Sequence, residues 1–142
     1  MAAPFPQRRG GLGVLSVTLF LVLLVLPIMA LRQLMLVFDW KVMAGAALAL
    51  SALTFALYRT DKNRAQSSEW RIPESTLHFC ELIGGWPGAF IAQRTFRHKI
   101  SKSSYQFTFW LIVLFHQWLA LDGLLGWTMT KGLLGLVQSR VP

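Results

Sequence analysis

Between Gly10 and Leu31 the chain carries no Asp, Glu, Lys or Arg, and residues 12–26 are small, aliphatic or hydroxyl-bearing apart from Phe20. A helix of about 20 apolar residues crosses the roughly 30 Å hydrocarbon core of a bilayer. No soluble interior that 142 residues can build requires such a run. The chain is therefore expected to be all-helical and membrane-embedded, since backbone polar groups in lipid are satisfied within helices or closed barrels.

Two further stretches fit the same reading. Residues 42–58 form a second apolar run, and residues 105–125 a third, with Trp110 and Trp127 near its ends. At the helical rise these two rings stand about 25 Å apart, which suits two aromatic belts. The expected architecture is one membrane domain over residues 1–142, with spans at about 12–31, 42–58 and 105–125. Residues 126–142 read as an interfacial tail, with a fourth span as the alternative.

Arg8-Arg9 form a basic flank before the first span, which reads as a retained anchor. It is longer than a signal-peptide apolar region, and Ile28-Met29-Ala30 is a poor cleavage site. Pro27 should kink this helix near its far end. Residues 34–40 suit the interface, with Trp40 at headgroup level. In the second span Gly45, Ala49, Ala52 and Ala56 share one face, a helix-packing surface for this chain's own spans or for a second copy or another membrane protein.

Eight of the fourteen Lys and Arg residues lie in 59–102, between the second and third spans. The net charge of +8 is thereby concentrated beside membrane segments, which favours anionic lipid over nucleic acid as partner. The positive-inside bias places residues 59–104 and the N-terminus in the cytoplasm of a multi-pass protein. Within this segment Pro73-Glu74 reads as a helix start, and Gly84-Gly85-Trp86-Pro87-Gly88 as a break. Residues 77–92 are too short and too interrupted for a span, and suit an amphipathic or re-entrant hairpin.

Three constellations carry candidate chemistry. Arg71, Arg94, Arg97, His98, Lys99 and Lys102, with the backbone at Gly84, Gly85 and Gly88, make a candidate anion- or lipid-headgroup site. Glu74, His78 and Glu81, at i, i+4 and i+7, could share one helix face as an acid/base set, and with His98 they support a lipid-modifying enzyme as the alternative. Arg71 and Glu74, three apart, read as a structural pair, with Asp61 and Lys62 as alternative opposite partners. His116 and Gln117 lie inside the third span, where one interhelical hydrogen bond would satisfy a polar group.

No metal site or cofactor is expected. The single cysteine, Cys80, excludes an intrachain disulfide and a cysteine cluster. The glycine cluster lacks the Lys and hydroxyl residue of a P-loop, and no serine elbow, zinc-protease or dinucleotide motif is present.

Asp61-Lys62, Ala65, Trp70-Arg71-Ile72-Pro73-Glu74, Leu77, Gly84-Gly85, Gly88-Ala89, Phe96-Arg97-His98-Lys99, Lys102 and Phe107 together resemble the small bacterial membrane proteins grouped as domain of unknown function 1294. The resemblance covers residues 58–107 and implies an integral inner-membrane protein, without assigning an activity. Some relatives carry a cold-shock domain before the first span. Here ten residues precede it, which removes that argument for nucleic-acid binding. The expectation is a non-catalytic module for anionic or phosphorylated lipid, with a scaffold subunit as a further alternative.

Overall fold

In the computed structural model, which describes residues 13–34 and 39–138, the chain is a succession of helices. They are α1 (Val14–Leu34), α2 (Trp40–Gln66), α3 (Glu74–Cys80), a π-turn (Glu81–Gly85), α4 (Trp86–Phe96), α5 (Ser103–Leu124) and α6 (Thr128–Gln138). No strand occurs among the described residues. Three of these helices are long and apolar enough to cross a membrane, over Val14–Gln33, Trp40–Gln66 and Ser103–Leu124. The basic flank at Arg8-Arg9, most of the 34–40 stretch and Arg140 lie outside the described residues.

Local chemistry explains the boundaries. Asp39 caps α2 by accepting the Lys41 N–H at 2.9 Å. The second span was expected over 42–58, and the helix continues past its apolar run to Gln66. No Gly or Pro interrupts residues 59–66, and the helix gains tertiary contacts along them, so polarity alone does not stop it. Pro73 precedes α3 and Glu74 opens its first turn. Gly84, at φ 119°, is where the chain leaves helical geometry before α4 starts.

Segments α3 and α4 form a hairpin laid along α2. On the way in, Ile72 meets Asp61 and Glu81 meets Tyr58. At the tip, Gly85 lies against Thr54 and Gly88 against Ser51. On the way out, Gln93 meets Tyr58, the Phe96 carbonyl meets Lys62 and His98 meets Asp61. The hairpin thus descends and returns over the length of α2 from Asp61 to Ser51, about 15 Å at the helical rise.

Its tip needs glycine for contact with α2. A Cβ on Gly88 would stand 1.9 Å from the Ser51 carbonyl oxygen, and one on Gly85 would stand 2.0 Å from Thr54 Oγ1. The close approach expected at these glycines is therefore made to a neighbouring helix of the same chain. Close backbone approach of this kind supplies the packing that holds helices together in lipid.

Tyr58, Leu77, Trp86, Phe90, Tyr105, Phe109 and Val113 form the core between α2, the hairpin and α5. The first helix joins from the outside, with Phe20 stacked on Phe90 at 5.3 Å. Gly45, Ala49, Ala52 and Ala56 are all exposed. The own-chain packing expected of that stripe is instead made by the face carrying Ser51, Thr54, Tyr58 and Asp61.

Beyond α5, Asp122 accepts the Met129 and Thr130 N–H groups and the Thr130 hydroxyl, capping α6. The third span, expected over about 105–125, is a helix that ends at Leu124, and the buried Asp122 carboxylate organises the next turn. At 11 residues, α6 is too short to be a fourth span.

Candidate functional site

Two polar clusters sit where the hairpin meets α2 and α5. The first surrounds Asp61, which is fully buried. Its Oδ1 accepts the Ile72 N–H at 3.0 Å, and its Oδ2 lies 2.8 Å from His98 Nε2 and 3.1 Å from Lys99 Nζ. Lys99 also reaches Glu74 at 3.7 Å, and Lys102 grips both Glu74 oxygens at 2.8 Å. Lys62 donates to the Phe96 carbonyl at 2.7 Å. The set ties both ends of the hairpin to the end of α2.

The turn that builds this clasp is strained. Arg97 at φ 50° and Lys99 at φ 63° both occupy the left-handed region, uncommon for residues with a Cβ. The reversal ends α4 and aims His98 and Lys99 at the same carboxylate. Hydrogen bonding from Lys102 holds the Glu74 carboxyl below the usual glutamate range.

The second cluster is deeper and centres on Glu81, also fully buried. Its Oε1 lies 2.5 Å from the Tyr58 hydroxyl and 2.9 Å from the Tyr105 hydroxyl, and these two hydroxyls are 2.5 Å apart. Its Oε2 faces His78 Nδ1 at 2.7 Å. Gln93 donates to the Tyr58 oxygen at 2.9 Å, and Gln106 donates to the Gln93 carbonyl at 2.7 Å. The His78 ring stacks on Tyr105 at 4.1 Å, and the Lys99 ammonium stands 4.8 Å from the centre of that same ring. No buried side-chain N or O among the described residues lacks a partner, as a low-dielectric interior demands.

The residues expected to form one anion site are divided by this arrangement. His98, Lys99 and Lys102 are committed to Asp61 and Glu74. Arg94 lies 3.4 Å over the Phe90 ring. Arg71 and Arg97 are exposed and form no ion pair among the described residues. The pair expected between Arg71 and Glu74 gives way to Glu74 with Lys99 and Lys102, because the turn after α4 brings those ammonium groups within reach. Glu74, His78 and Glu81 likewise split: His78 and Glu81 bond to each other, and Glu74 belongs to the outer clasp.

Tyr58, Tyr105, Gln93 and Gln106 were not singled out from the sequence as site residues. One signal was available: Tyr58 and Asp61 are three apart and share a helix face. The others come together only through the hairpin. Cys80 is buried beside the deep cluster.

An open hollow of about 630 Å³ beside the clasp is lined by Asp61, Trp70, Arg71, Pro73, Glu74 and Lys99, among others. Comparison with known proteins finds no match among curated proteins and none among solved structures. Residues 51–105 match the model of a family described as a protein of unknown function, DUF1294, and that match supports the resemblance over this part of the chain.

Proposed function

We propose that the protein is a non-catalytic module of the bacterial inner membrane, whose re-entrant hairpin enters and leaves at the cytoplasmic face and engages anionic lipid headgroups. The observation that carries this reading is the state of its arginines. Arg59, Arg64, Arg71 and Arg97 are exposed, and none has a carboxylate partner among the described residues. Arg64, which donates to the Trp70 carbonyl, Arg71 and Arg97 stand where the hairpin arms begin and end, with Trp70 86% exposed beside Arg71. Exposed arginine with an exposed indole at an interface suits phosphate headgroups, since the guanidinium fork binds phosphate and the indole favours that depth.

Re-entry has its own support. Phe79, Leu82 and Ile83, on the descending arm and tip, are exposed apolar side chains alongside the apolar length of α2. Lipid is the medium that would cover them. A lipid-modifying reaction would need an acid or base open to substrate. Glu81 is buried and bonded to His78, Glu74 is held by two lysines, and His98 faces Asp61.

The test is lipid retention by native mass spectrometry after mild detergent purification. Arg71→Ala/Arg97→Ala should keep several-fold less anionic phospholipid than wild type, with zwitterionic lipid unchanged. Equal retention of anionic lipid would overturn the proposal. The exposed Gly45, Ala49, Ala52 and Ala56 face supports a scaffold role as a second reading. Crosslinking from Ala49→Cys that captures neither a second copy nor another membrane protein would end it.

A further inference from the structure

The two buried carboxylates sit in opposite surroundings. Asp61 meets the Lys99 ammonium, His98 and a backbone N–H, a set that balances a buried negative charge. Among the described residues Glu81 forms no ion pair with a lysine or arginine. Its partners are Tyr58 from α2, His78 from α3 and Tyr105 from α5, while α4 contributes the neutral Gln93 through Tyr58. The Lys99 ammonium stands over the Tyr105 ring and is paired with Asp61 and Glu74.

Counting protons leads to the same place. Glu81 Oε1 and the hydroxyl oxygens of Tyr58 and Tyr105 form a triangle with edges of 2.5, 2.9 and 2.5 Å. Each edge is a hydrogen-bond distance and requires its own hydrogen. Two tyrosines supply two hydrogens, and the Gln93 N–H points to the Tyr58 oxygen from outside the triangle. An ionised Glu81 leaves one edge as two facing lone pairs. One more proton, carried by the carboxyl, completes a ring in which every oxygen donates once and accepts once.

We propose that Glu81 is a proton-binding site whose bound proton closes the hydrogen-bonded ring joining the hairpin to α2 and α5. His78, with 17% of its side chain exposed against none for Glu81, is the titratable partner through which solvent reaches the site. Loss of the proton would leave a buried charge without a fixed cation and would loosen the seat of the hairpin. This inference is independent of headgroup binding, which concerns other residues.

The experiment is infrared spectroscopy of the full chain in a detergent without ester carbonyls, at neutral pH. Wild type should show the C=O stretch of a protonated carboxylic acid, moving to lower frequency in D₂O and absent from Glu81→Gln. Should that variant fail to fold, ¹³C labelling of glutamate carboxyls in wild type replaces it. Only Glu69, Glu74 and Glu81 then carry the label, and Glu69 is exposed while Glu74 is paired with lysines. A band that moves with the label supports the proposal. No band in wild type, a band unmoved by the label, or one that survives Glu81→Gln overturns it.

Discussion

Gln117 on α5 donates its side-chain amide to the Leu23 carbonyl of α1 over 2.9 Å. That carbonyl is the one Pro27, lacking an N–H, leaves without its helical donor. The carbonyl that a proline strands in one span is thus satisfied by a polar side chain in another, which explains the glutamine without assigning it chemistry. His116, beside it, bonds to the Ile112 carbonyl of its own helix.

Gln117→Leu should therefore destabilise the protein by about 1–3 kcal/mol, the range for an orphaned buried acceptor. Pro27→Leu in the same background returns an N–H to Leu23 and should recover part of the loss. Thermal unfolding in detergent reads both. A double variant no more stable than Gln117→Leu would contradict the pairing.

Asp61→Asn leaves Lys99 without its buried counter-charge and should cost about 3–5 kcal/mol, the range for breaking one side of a buried ion pair. Lys99→Met added to Asp61→Asn should recover part of it. Additive losses in this cycle would show that the two side chains act separately.

Gly88→Ala should lower the yield of folded protein sharply, because its Cβ meets backbone at 1.9 Å and not the far end of a flexible side chain. Gly45→Ala is the control, with open space around it, and should be neutral or stabilising by up to about 1 kcal/mol. Size-exclusion profiles of the two variants decide the matter, and similar behaviour would count against the tip contact.

For Glu74 the pH dependence has a definite sign. Its folded-state pKa is lowered, so its contribution is present above the usual glutamate range and fades as pH falls through the depressed value. Wild type should lose stability on acidification through that window by more than Lys102→Ala does. Parallel profiles would show that Lys102 is not the cause. The effect is screened by solvent, since Glu74 is 39% exposed.

Arg97→Gly separates strain from binding. Glycine accepts the left-handed conformation that Arg97 holds at φ 50°, so stability should hold or rise by about 1 kcal/mol. Anionic lipid retention should fall at the same time. A fall in unfolding temperature would mean that the arginine side chain supports the fold.

Much of the helical layout was legible in the sequence because apolar runs and the Pro73-Glu74 start act locally. The end of α2 was not, since it depends on what residues 59–66 touch. The basic segment also read as one cationic strip. Lys99 and Lys102 are in fact balanced by Asp61 and Glu74, and that balance exists only once the hairpin folds back along α2. Glycine at 85 and 88 read as room for a ligand; it gives room to Thr54 and Ser51, which lie more than 30 residues away and leave no local trace.

In the proposed topology the hairpin enters and leaves on one side of the membrane with its tip in the bilayer. Single cysteines at Arg71, Ile83 and Arg97, in a Cys80→Ala background, can be probed with a membrane-impermeant maleimide in inside-out and right-side-out vesicles. Arg71→Cys and Arg97→Cys should both label only from the cytoplasmic face, and Ile83→Cys from neither face until detergent is added. Labelling of Ile83→Cys in intact vesicles, or of Arg71→Cys and Arg97→Cys from opposite faces, would contradict the account.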